Sequence, residues 1–318
     1  TAIGRQALRL NTTASNNTAV GYEAGYANTT GTANASLGYQ AAKDLTTGNR
    51  NTALGAIAGQ NLTTADDTVA IGYNSLGSST TGHDNTAVGS SALTSNTTAS
   101  RNTAVGYQAG YSNTTGIENT FVGRGAANAN TTGQHNAVFG DYAYGAGSTG
   151  SYNTAIGKNA LRFNATANEN TAVGYTAAYS NTTGIRNVAL GKGAGYNTTT
   201  PSDNTSVGTV ALFSNTTGAT NTAIGAFSLY SNTTASQNTA VGYQSLYTNT
   251  TGVEMVAVGY EALRANTTAH TNHAFGYRAL KSNTTGAFNV AVGHSALTAN
   301  TTASENTAVG YQASGYNT

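Results

Sequence analysis

A glycine recurs at every seventeenth residue of this chain, from Gly4 and Gly21 through to Gly293 and Gly310, with no insertion or deletion between them. All 19 positions of that register are glycine. A strict short period is the signature of a stacked repeat rather than of a domain with one closed core. The length of 318 residues would otherwise suggest about two domains. Written from the Asn four residues before the glycine, one unit reads Asn-Thr-Ala-Val-Gly-Tyr-Gln-Ala-Gly-Tyr-Ser-Asn-Thr-Thr-Gly-Ile-Glu, as in residues 102–118. Unit positions are numbered one to seventeen from that Asn.

Each position has its own rule. Position four is always bulky and apolar (Ile3, Val20, Leu37, Leu54), position three is Ala in 15 of 19 units, and position eight is Ala or Ser in all 19. Position nine is Leu in ten units, position one is Asn in 16 of 18, and position fourteen is Thr in 18 of 18. Positions six, ten, sixteen and seventeen exchange Tyr, Lys, Arg, Asp, Glu, His and Gln, which marks them as wet.

Seventeen residues are too few for a strand, an ordinary helix and two turns. Thr-Ala-Val before a glycine reads as a short strand closed by a residue that tolerates positive φ, and Asn-Thr-Thr-Gly carries turn chemistry. The fold predicted is all-β: a β-solenoid, either β-helix or β-roll, of about 19 coils, spanning residues 1–318 as one continuous array. Stacked coils place like on like, Val on Val and Thr on Thr, in a rod of roughly 90 Å. Both chain ends fall inside a unit, at Thr1 and Thr318, which suggests a segment of a longer fibre. A competing reading gives positions six to twelve one helical turn per unit, since Ala, Leu and Gln favour helix. Positions three and four, and again eight and nine, are adjacent apolar pairs. Strand geometry sends one member of each pair inward and the other out, with the small residue where backbones crowd, whereas a strand end or bulge turns both inward. The constant Thr at position fourteen reads as a hydroxyl ladder between coils.

The Asn-Thr-Ala-Val-Gly and Thr-Val-Ala-Ile-Gly cores (residues 17–21, 68–72, 85–89 and 102–106) resemble the head repeats of trimeric autotransporter adhesins. The longer Asn-Thr-Ala-Val-Gly-Tyr-Gln-Ala-Leu pattern, nearest in residues 238–252, is similar to repeats of fibre proteins that carry an endosialidase-type chaperone domain. That resemblance implies a left-handed parallel β-roll and a fibre or adhesin role.

The motif with chemistry in it is Asn-Xaa-Thr/Ser, the acceptor for N-linked glycans. It occurs at position twelve as Asn11, Asn28, Asn96, Asn113, Asn130, Asn164, Asn181, Asn215, Asn232, Asn249, Asn266, Asn283 and Asn300, and elsewhere as Asn16, Asn34, Asn61, Asn197 and Asn204. The same tripeptide also serves as a turn. Where position twelve is Leu62 or Thr198, the motif slides one place to Asn61 or Asn197. Covalent glycans would explain how a chain only 8% charged stays in water, against about 25% in an average domain.

Other signals are weak. Gly191-Lys192-Gly193-Ala194-Gly195 has the look of a phosphate loop but lacks the following Lys-Ser/Thr. His270 and His273 are a close pair without a repeated carboxylate, and Asp66, Asp67, Glu118 and Glu305 gather near position seventeen without a paired acid at fixed distance. No catalytic, cofactor or metal site is predicted, and the chain is not read as an enzyme. A net charge of +1 argues against nucleic acid as a partner, and no apolar run reaches the length of a membrane span. The expected role is an N-glycosylated extracellular or cell-surface fibre subunit. Its partners are copies of itself, stacked end to end and associated laterally, as in a trimer. The alternative is an adhesin or ice-binding module using Tyr or Thr ladders.

Overall fold

The computed structural model describes residues 1–316. The chain is an all-β solenoid in which each seventeen-residue unit forms one coil with a single short strand. β1 (Ala2–Ile3) is followed by β2 (Thr18–Val20), and a three-residue strand returns every seventeen residues through β10 (Thr154–Ile156) and β11 (Thr171–Val173) to β19 (Thr307–Val309). No helix occurs among the described residues. The coils belong to two compact units, one of Thr1–Asn159 with Asn164–Thr166 and one of Ala160–Phe163 with Ala167 onward.

Within each unit neighbouring strands are parallel and in register at seventeen residues. In the first, Thr103, Ala104 and Val105 face Thr120, Phe121 and Val122. In the second, Thr222, Ala223 and Ile224 face Thr239, Ala240 and Val241. Position three points into the coil, where Ala104 and Ala240 are fully buried, and position four points out, leaving Val105 and Ile224 exposed. The small residue takes the inside because a coil this thin has no room for a larger one. At position five the backbone turns at φ near +130°, and the next coil's glycine lies directly over it. A Cβ on Gly106 would stand 2.7 Å from the carbonyl carbon of Gly123.

Positions six to twelve, which the competing reading gave a helical turn, form an irregular bend, as the all-β prediction requires. Positions seven and nine take left-handed conformations, as at Gln108 (φ 55°) and Leu93 (φ 48°), so right-handed helix cannot propagate through them. Its amides are satisfied by neighbouring coils: Leu93 N donates to Ala109 O at 3.0 Å and Gln108 N to Ser90 O at 3.0 Å. The left-handed residue also decides between the two arrangements open to positions eight and nine. Ala92 and Leu93 both face inward and are fully buried, because the reversal at nine cancels the alternation of a strand. Burying each such Leu contributes about 2 kcal/mol.

Interior volume is conserved when the residues change. Position nine is Gly59 where position twelve is Leu62, and a Cβ on that glycine would meet the leucine Cδ1 at 2.6 Å. Gly110 makes room in the same way for the ring of Phe121, which replaces Ala at position three. In the second unit Ala178, Gly195 and Thr198 leave a cavity of about 10 Å³ unfilled, space for roughly one water.

Candidate functional site

Polar side chains run through the coils in columns, and the innermost two are asparagine. Asn119, at position one, accepts from Asn136 N at 2.9 Å through Oδ1 and donates through Nδ2 to Gly133 O at 2.9 Å. Asn130, at position twelve, donates to the same Gly133 carbonyl at 3.1 Å and to Asn113 Oδ1 of the preceding coil at 2.8 Å. Two asparagines thus close on one backbone oxygen at position fifteen. The pattern recurs in the second unit, where Asn238 and Asn249 both donate to Gly252 O at 2.9 Å. The paired N–H donors of these columns specify register, because leaving a buried donor unpaired costs about 1–3 kcal/mol; Asn130 Oδ1, facing the coil where position twelve is Gly147, is buried without a partner.

This arrangement places most of the glycan-acceptor candidates inside the coil. Asn28, Asn34, Asn96, Asn113, Asn130, Asn164, Asn181, Asn204, Asn215, Asn232, Asn249, Asn266, Asn283 and Asn300 are all at most 4% exposed. The Nδ2 of Asn130 already donates both its hydrogens, and the coil spacing leaves no space for a pyranose beside it. A sugar at these fourteen sites and the folded coil exclude one another. Asn11, Asn16 and Asn61 are exposed and Asn197 is half-buried.

The threonine ladder exists one place earlier than the sequence suggests. Position thirteen carries it: Thr97 Oγ1 donates to Thr114 O at 3.2 Å, and Thr114 Oγ1 to Thr131 O at 3.0 Å. Thr98, Thr115 and the other position-fourteen residues are exposed, all 18 of them. Uniformity in sequence marked the outer hydroxyl row, not the inter-coil bond.

Outside, aromatic and charged side chains also align by coil. Tyr179, Tyr196, Phe213, Tyr230 and Tyr247 stack at centroid distances of 4.9–5.3 Å. Tyr243, Tyr260, Tyr277, His294 and Tyr311 form a second column at 4.7–5.3 Å. At position seventeen Arg50 grips Asp67 with two bonds of 2.6 and 2.7 Å, and its guanidinium holds that carboxyl below its ordinary range. Glu118 is bonded by Arg101 at 2.7 Å and His135 at 3.0 Å. Glu261 is the most enclosed acid of this kind. Burial alone would raise its carboxyl, but Lys281 at 2.8 Å and Arg278 at 2.9 Å outweigh that and hold it below the usual value.

The weaker candidates are absorbed by the repeat. Gly191, Gly193 and Gly195 sit at positions five, seven and nine with the positive φ those positions take throughout, and Lys192 is exposed. His270 Nδ1 accepts from Val253 N at 3.2 Å, while His273 begins a strand. Asp66 Oδ1 accepts from Asn49 N, and Glu305 is at position seventeen of its coil. Among the described residues no three His, Asp or Glu side chains converge as metal ligands. No helix of the described residues is long and apolar enough to cross a membrane. The chain matches no protein-family model and no curated protein sequence.

One rule escaped the sequence reading. Position sixteen alternates between apolar and hydrogen-bond-accepting residues in the second unit: Ile185, Ser202, Ala219, Ser236, Val253, His270, Ala287, Ser304. Each acceptor receives the amide of the coil before it, as Ser202 Oγ does from Ile185 N at 3.1 Å and Ser304 Oγ from Ala287 N at 3.0 Å. A search at twice the repeat length would have found this two-coil period.

Proposed function

We propose that the chain is a structural solenoid, a segment of an extracellular or cell-surface fibre. The observation that supports this is the use of its polar groups. The Asn and Thr columns join each coil to the next, so the chemistry of the repeat is directed along the stack rather than into a pocket. N-linked glycans belong, on this reading, at Asn16, Asn61 and Asn197, where the acceptor amide is reachable. They add to the exposed Asn and Thr side chains in keeping a sparsely charged surface hydrated.

Immunogold labelling of the source cells or particles with an antibody raised against the repeat tests the role. Gold along surface filaments is expected, and gold confined to the cell interior overturns the reading. Intact mass of the native protein tests the glycan part, which fails if the mass equals that of the bare polypeptide.

A second reading, binding to an ordered surface such as ice, draws support from the exposed Thr at position fourteen in every coil. Thermal hysteresis in a solution of the purified chain is its direct measure, and freezing without hysteresis removes it.

A further inference from the structure

Position six of the first unit reads Tyr22, Tyr39, Ala56, Tyr73, Ser90, Tyr107 in successive coils. Tyr22 and Tyr39 stack at 5.4 Å with planes 11° apart. Beyond them the column opens into a comb. Tyr39, Tyr73 and Tyr107 are 53%, 58% and 51% exposed, and the small, half-buried Ala56 and Ser90 lie between them. With coils about 4.8 Å apart, adjacent teeth stand about 9.6 Å from one another. A ring entering midway would lie about 4.8 Å from each tooth. That is close to the 5.3 Å at which Tyr243, Tyr260 and Tyr277 stack on consecutive coils of the second unit.

We propose that this comb is a self-association surface whose occupant is a second copy of the chain. The gaps repeat with the same period as the teeth, so the surface is its own complement. A two-fold axis across the coil direction seats Tyr73 over Ser90 and Tyr107 over Ala56 in both copies at once, giving a closed, isologous contact. In that register Tyr39 faces the partner's Arg124, a cation against an aromatic ring. The flanking outward positions favour the same occupant. Position four supplies the exposed Leu54 and Val105, position two supplies Thr52, Thr86 and Thr103, and no charged residue stands in these three columns between Tyr39 and Tyr107. Two identical surfaces therefore meet without like-charge repulsion. Together the columns offer on the order of 800 Å² per copy, the size of a standard interface.

The pairing names a lateral partner for the fibre reading and rests on that reading only for where it operates. Interior gold labelling would overturn the fibre and leave the pairing measurable, whereas a failed pairing experiment leaves the labelling result intact.

The test fills the gaps. Ala56→Tyr with Ser90→Tyr turns the comb into the unbroken column that the second unit already tolerates, so the fold is kept while the sockets vanish. Sedimentation velocity of the full chain should show a concentration-dependent dimer for the natural sequence and at least a tenfold weaker dimer for the filled variant, with unchanged circular dichroism. Tyr73→Ala, which removes a tooth, should weaken the dimer as well. A natural chain that stays monomeric, or a filled variant that pairs as strongly as the natural one, overturns the proposal. So does a monomer whose comb instead binds a soluble β-linked oligosaccharide.

Discussion

The phenol of Tyr144 occupies the space above Gly147 and donates its hydroxyl to Gly150 O at 3.0 Å. In the coil before, that position-fifteen oxygen is held by Asn130 instead. Tyr144 thus replaces both the leucine of position nine and the amide of position twelve with one side chain. Burial holds the phenol far above its ordinary pKa, with bonds from Asn153 and Asn164 opposing, so it remains a protonated donor. Gly147→Asn alone should lose about 2 kcal/mol or more, since the ring fills the new side chain's place, and Tyr144→Leu alone a similar amount through the void and the lost bond. Combined, the two restore the common Leu and Asn pair and should return stability to within about 1 kcal/mol of the natural chain. Urea denaturation of the four proteins measures this, and simple additivity would contradict it.

Asn119→Asp places a carboxylate against Gly133 O and Asn102 Oδ1, two acceptors that now receive hydrogens from the amide. With no cation beside it, the buried acid should destabilise the first unit by about 3 kcal/mol or more at neutral pH. Its pKa rises in the folded state, so the loss is smallest at acid pH and grows as pH increases through the raised value. Melting curves of variant and natural chain should converge below about pH 4. Parallel curves at all pH values would show that ionisation is not the cause.

Acid should weaken the second unit through Glu261. Its folded pKa is depressed, so the stability it contributes is present above the ordinary value of 4.5 and lost as pH falls through the lower folded value. Glu261→Gln cannot ionise and leaves Arg264, Arg278 and Lys281 without their shared acid. The natural chain should therefore lose more melting temperature than the variant as pH is taken from about 5 to about 3. Equal losses would place the acid sensitivity elsewhere.

Gly106 and Gly195 both take positive φ, at +133° and +59°, but in different surroundings. Alanine at 106 strains the dihedral and collides with Gly123, whereas the nearest atom to a Cβ at 195 is the Ser206 hydroxyl at 3.2 Å. The first substitution should cost more than about 3 kcal/mol and the second about 1–2 kcal/mol, the strain alone. Chemical denaturation separates them, and equal costs would mean that the collision relaxes.

Register and strand position were legible because Gly106 and its counterparts punctuate every coil, and because alternation alone puts Ala104 inside and Val105 outside. The inward turn of Leu93 was legible only as one of two options: its left-handed backbone is imposed by bonds to Ala109 and its neighbours in the next coil, and a leucine gives no local sign of it. Thr97 and Thr98 are chemically identical neighbours, and only the coil's curvature decides which hydroxyl meets the next carbonyl. Asn130 carried two readings at once, since the residues that make a glycan acceptor also make a turn. Its burial beside Gly133 separates them.

The asparagine columns also limit how such a gene can change. Every Asn119-type side chain is matched to a partner seventeen residues away, so loss or gain of a whole seventeen-codon block leaves each remaining amide with an equivalent neighbour. An in-frame deletion of any other size shifts the downstream asparagines out of line with those upstream at the junction. Recombination between copies can therefore lengthen or shorten the protein by whole coils, in pairs where position sixteen alternates, making its length a heritable quantity while the coil itself stays fixed.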